Sequence, residues 1–228
     1  MSIQTIDQRV KEIKLGFRQL MDGATAQSMR QKGIGYHLNW GVTIPRLRQM
    51  SDEIKENSED ASLYSLSVAL WKENVRECKI LATMLMPPEV MPPEVVDIWM
   101  EQTPTLEIAE QSAFNLYQHL PYAADKAFEW LASPEDLPQI CGYHVLSRLF
   151  MRGQEPNERG INEFLDQAMT ALQSSSSPAV AEDSRVSPSY AAALRKAAMQ
   201  AVVHFADISI MHQRLAKTAT RRIGLSFL

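Results

Sequence analysis

The chain has 228 residues, 45% of them apolar, a formal net charge of −4 and two cysteines. That apolar share can bury a sizeable core without staples, which excludes a disordered chain; Cys78 and Cys141, far apart and outside any C-x-x-C pairing, exclude a disulfide scaffold and dithiol chemistry and read as buried free thiols. No run approaches ~18 consecutive apolar residues, and the N-terminal segment has no basic run leading into an apolar stretch, so a soluble, cytoplasmic protein without a membrane span is expected.

In chain order, hydrophobic periodicity predicts helices over residues 4–21, 25–32, 44–57, 60–71, 74–86, 92–101, 105–119, 122–132, 135–151, 157–173, 188–206 and 208–224. The first carries the stripe Ile6, Val10, Ile13, Phe17 and Leu20, with Asp7, Arg9, Lys11, Glu12 and Lys14 around it. The third is expected to start at Thr43 as a side-chain cap, with Pro45 in the first turn, and to bury Leu47, Met50, Ser51 and Ile54. Between Leu63 and Leu85 the apolar density is too high for a surface helix, so these helices must lie between neighbours. Trp71 and Trp99 fall at core-like spacing. Met86-Pro-Pro-Glu-Val90 is repeated at once as Met91-Pro-Pro-Glu-Val95, which predicts a duplicated helix connection. Residues 174–188, rich in serine with two prolines, predict a flexible surface loop ahead of two terminal helices. Helix pairs every 35 to 45 residues, with no strand-like alternation between them, predict an all-α, HEAT-like helical-repeat solenoid forming a single domain over 1–228.

Charge is distributed unevenly. Residues 1–50 carry 8 basic and 3 acidic side chains, 51–139 carry 5 and 17, 140–184 carry 3 and 6, and 185–228 carry 7 and 1. Basic ends around an acidic centre suit a polyanion gripped at separated points, although solvated or mutually neutralising charge runs give the same pattern. Arg214, Lys217 and Arg221 recur every three or four residues and share one helical face, and with Arg195, Lys196 and Arg222 they are the best candidates for phosphate contacts. The five histidines lack metal-ligand spacing, so neither a metal nor a cofactor is expected.

Trp40-Gly-Val-Thr-Ile-Pro-Arg-Leu-Arg48, the Leu70-Trp71-Lys72 and Glu77-x2-Ile80-Leu81-Ala82 helix pair, and Ala193-Leu194-Arg195-Lys196 resemble the DNA alkylation repair, AlkD-like, glycosylases over about Ile6 to Val202. The resemblance implies a HEAT-like solenoid that holds duplex DNA on a basic concave face and excises cationic alkylated purines, with aromatic rings on the nucleotide and a carboxylate stabilising charge at the sugar. The family's Trp-Asp-x-x-Asp segment falls on Leu106-Glu107-Ile108-Ala109-Glu110, which makes Glu110 the candidate catalytic acid and leaves Leu106 where the ring would stand. The basic pair falls near Cys141-Gly142-Tyr143, with Arg148 further along as the candidate DNA contact, and the terminal Trp-x-Leu-Arg motif keeps Leu194 and Arg195 but has Ala192 for its tryptophan, with Tyr190 two residues earlier. Glu107 and Glu110 also read as solvated carboxylates on an amphipathic helix. Two functions are therefore expected to compete: a DNA-binding member with an altered glycosylase site, and a non-catalytic HEAT-like scaffold that binds another protein.

Overall fold

The computed structural model describes residues 5–31, 35–174 and 188–226, and the loop expected at 174–188 falls almost wholly outside them. Twelve α-helices follow one another in the described residues: α1 (Ile6–Gln19), α2 (Gly23–Gln31), α3 (Ile44–Glu56), α4 (Asp60–Lys72), α5 (Arg76–Leu85), α6 (Pro93–Glu101), α7 (Leu106–Asn115), α8 (Ala123–Leu131), α9 (Asp136–Met151), α10 (Glu158–Ser174), α11 (Pro188–Asp207) and α12 (Ile210–Arg222). The only extended pairing among those residues is an isolated bridge between Leu38 and Val75. No described helix is long and apolar enough to cross a membrane.

Local chemistry sets several boundaries. Pro45 lies in the first turn of α3, where its missing amide has no partner to lose, but Thr43 is a cap by position only: its backbone is extended and its hydroxyl makes no capping bond. Thr5, Thr105 and Ser209 do cap α1, α7 and α12 through their side chains. The repeated Met-Pro-Pro-Glu-Val runs two ways. The first copy makes one 3-10 turn, Pro88–Val90, that stops because Met91 precedes a proline, whereas in the second Pro93 opens α6. α5 begins at Arg76 rather than at 74, since Val75 is held extended beside Leu38 and the Arg76 amide donates to the Leu38 carbonyl at 3.0 Å. α7 stops at Asn115 because Leu116 leaves helical backbone, and the expected continuation becomes a separate 3-10 turn, Tyr117–His119.

The chain divides into two compact units, Met1–Pro121 and Tyr122–Leu228. In the first, α1 packs on α4, while α5 lies among α3, α4 and α7. Every residue of α5 is buried, the charged Arg76, Glu77 and Lys79 among them, which explains the high apolar density of its remaining positions. Trp71 and Trp99 stack with centroids 4.2 Å apart, and the Trp71 indole donates to Gln102 at 3.0 Å. In the second unit α9 packs on α8 and α11, and α12 closes the unit against α10 and α11. Phe150, Phe164 and Phe205 meet there with centroids 5.0 to 5.5 Å apart. Cys78 and Cys141 are free and buried, and burial pushes the Cys78 thiol up to about 12.

Candidate nucleic-acid interface

α12 is held by a narrow face. His212, Ala216, Ala219 and Thr220 are buried. The His212 ring sits edge-on to Phe205 at 4.7 Å, accepts or donates at Nδ1 with the Ser209 hydroxyl at 2.8 Å, and brings Nε2 to 3.2 Å from Glu155. Two alanines on this face let the helix backbone approach its neighbours closely. All the remaining positions of α12 are exposed, and none carries a carboxylate. Arg214, Lys217 and Arg221 form one exposed row, as their spacing predicts, and Arg222 lies on the adjacent row. The helix ends in a Schellman motif: Gly224 at φ +74° donates to Arg221, and the Leu225 amide donates to Thr220 at 3.0 Å. That turn folds the chain back so that Lys217, Arg221, Gly224, Leu225 and Ser226 line one cleft. Cations in the last turn also offset the helix dipole, which accounts for Arg221 and Arg222 but not for Arg214 or Lys217.

The other expected phosphate contacts are placed differently. Lys196 is exposed on α11, while Arg195 on α11 and Arg148 on α9 are half-buried and neither is free of partners. Around Arg148, α9 is occupied by core: Cys141, Gly142 and Tyr143 are buried, and a Cβ on Gly142 would stand 2.8 Å from the Ala127 carbonyl of α8. No side chain at those three positions reaches solvent to meet a ligand.

In the first unit the carboxylates of α7 have unlike surroundings. Glu110 is half-buried and has a partner of its own. Glu107, one turn earlier, is clamped: Arg76 donates to it bidentately, Nη2 to Oε1 at 2.6 Å and Nε to Oε2 at 2.9 Å, and the Tyr36 hydroxyl donates to Oε2. Arg76 also donates to the Val42 carbonyl at 2.8 Å and to Glu77 at 3.3 Å, and Glu77 accepts from the Val42 amide at 3.2 Å. Burial and then the Glu107 charge push the Tyr36 hydroxyl well above its ordinary range. Burial opposes the Arg76 charge, but the Glu107 and Glu77 carboxylates outweigh it and hold the guanidinium above its usual value. Glu107 is therefore a counter-ion with its lone pairs engaged and not a solvated carboxylate. Sequence reasoning missed this cluster. The available signal was Arg76-Glu77, with Lys79 after it, inside an apolar-rich run, since charges placed in a core require partners.

No curated protein matches the chain. Its fold is similar to that of a solved structure described as "a new family of proteins related to the HEAT-like repeat DNA glycosylases with affinity for branched DNA structures", with a TM-score of 0.75 and 15% identity over 95% of this chain and 84% of that one. At that identity the likeness establishes the HEAT-like helical-repeat fold. The family described as DNA alkylation repair enzyme matches residues 13–198, from within α1 to within α11 and across both units. A match over most of the chain places it by sequence as well as by architecture: the protein belongs to the DNA alkylation repair enzyme family.

Proposed function

We propose that this protein binds DNA through its phosphate backbone, using the exposed cations of α12, and that it does so without excising bases. The observation that carries the reading is the row Arg214, Lys217 and Arg221, flanked by Arg222 on a helix with no carboxylate. A polyanion with evenly spaced charges is the ligand such a row complements, and neutralised phosphates release their counterions. The family supports nucleic acid as the ligand. The affinity for branched DNA structures described for the similar protein supports branched DNA over uniform duplex.

Three departures from the family's motifs support the absence of base excision. Leu106 and Ala192 offer no ring to a cationic nucleotide, and the segment where a basic pair would stand is buried in α9. Glu110 keeps the carboxylate of the motif, but Leu106 replaces the ring that accompanies it there. Fluorescence anisotropy with a linear duplex and a forked duplex tests the binding. Replacing Arg214, Lys217, Arg221 and Arg222 together by glutamine should weaken both complexes by at least tenfold at low salt, and unchanged affinity rejects α12 as the interface. In a second assay, wild type and Glu110→Gln should both fail to release alkylated bases from methylated DNA. Release by wild type that Glu110→Gln abolishes contradicts the non-excising reading.

A further inference from the structure

Among the described residues Ile210 is the most exposed large apolar side chain, at 73%, and Met211 (54%) and Leu215 (36%) follow on the same helix. A turn of 100° per residue places Ile210 at the head of the Arg214, Lys217 and Arg221 row, one turn and about 6 Å before Arg214. Met211 and Leu215 lie along the flank of that row, on the side of Arg222. None of the three packs the helix, which is anchored through His212, Ala216, Ala219 and Thr220. Isolated exposed apolar side chains are ordinary. Three on one thirteen-residue helix, interleaved with four cations and no carboxylate, form a surface that is both apolar and cationic.

That mixture selects among polyanions. The side of an intact duplex offers phosphates and grooves, and apolar side chains gain little there unless a base step opens. At a branch or fork the terminal base pair has an uncovered π-face, with phosphates on both sides of it. We infer that α12 seats on the branch point of a DNA duplex: Arg214, Lys217 and Arg221 take the flanking phosphates, while Ile210 and Met211 cover the exposed face of the terminal base pair. This inference rests on the DNA-binding reading above and adds to it the side chains that discriminate a branch from a linear duplex. Apolar contact with a base face is insensitive to base identity, so the preference is for shape and not for sequence.

The test compares wild type, Ile210→Ala and Ile210→Ala/Met211→Ala on a forked duplex and on a linear duplex with the same number of base pairs, with 2-aminopurine at the branch-terminal pair. Both positions are exposed and alanine is a strong helix former, so the variants should keep the wild-type thermal midpoint. The double variant should lose about tenfold in affinity for the fork, retain its affinity for the linear duplex, and lose the 2-aminopurine fluorescence change that wild type produces. Equal loss on both DNAs, or an unchanged preference for the fork, overturns the inference while leaving DNA binding intact. A wild-type dimer that the double variant dissociates, seen by sedimentation, overturns it too, because the apolar face would then be covered by a second copy. Failure of the wild type to bind either DNA removes the DNA-binding reading and this inference with it.

Discussion

Arg76 has a side chain 1% exposed and lies between two carboxylates, Glu77 at 0% and Glu107 at 19%. Removing the guanidinium strands the charge of Glu77 in the core and leaves Glu107 held only by Tyr36. We expect Arg76→Met to cost about 3–5 kcal/mol in urea unfolding, and Arg76→Met/Glu107→Gln to cost less than the sum of its single changes. Tyr36 adds a pH dependence of known sign. Its folded pKa is raised, so the stability it contributes is complete below the unfolded value of about 10 and is lost as the pH rises beyond it. Unfolding at pH 8 and pH 11 should show wild type losing more stability across that interval than Tyr36→Phe, and equal losses contradict the assignment. Little of this cluster was legible beforehand. Glu107 reads as one more polar position on an amphipathic helix, and its partners stand 31 and 71 positions away, beyond the reach of any local pattern.

The helices themselves were legible nearly everywhere, because periodicity and breakers are local. Errors fell where a contact from another segment intervened. Val75 would continue a helix but bridges to Leu38, and Thr43 has the right position for a cap without the bond. The segment Leu38 to Thr43 is instead fixed by tertiary hydrogen bonds, the Asp22 amide donating to the Trp40 carbonyl at 2.9 Å and Glu77 and Arg76 binding Val42. Gly41 makes this fit possible. Its φ is +75°, and a Cβ there would stand 2.2 Å from the Asp22 carbonyl oxygen and 2.8 Å from the Ala26 amide nitrogen. Gly41→Ala should therefore destabilise by about 3 kcal/mol or more, read as a lower denaturation midpoint, whereas a loss within 0.5 kcal/mol, the range of about an ordinary surface change, contradicts that packing. Gly142→Ala should lower the midpoint as well, by forcing α9 away from α8.

Across the whole molecule, net charge is a poor guide and its distribution a better one. The chain is acidic overall, yet its last 44 residues carry seven basic side chains and one acidic. The cation row of α12 was readable from spacing alone, and the structure leaves Arg214, Lys217, Arg221 and Arg222 exposed. What spacing could not reveal was the partial burial of Arg148 on α9 and Arg195 on α11, two helices that pack on each other. The motifs that carry the resemblance mark helix starts and core faces, so what they report is architecture. The central claim, that α12 grips DNA by its phosphates, is tested most directly by the salt dependence of duplex binding between about 50 and 200 mM, with wild type beside the variant in which Arg214, Lys217, Arg221 and Arg222 are glutamine. Each lost phosphate contact should lower the slope of log affinity against log salt by about 0.9. We predict a slope shallower by about 3 to 4 in the variant; parallel slopes for the two proteins would contradict the account.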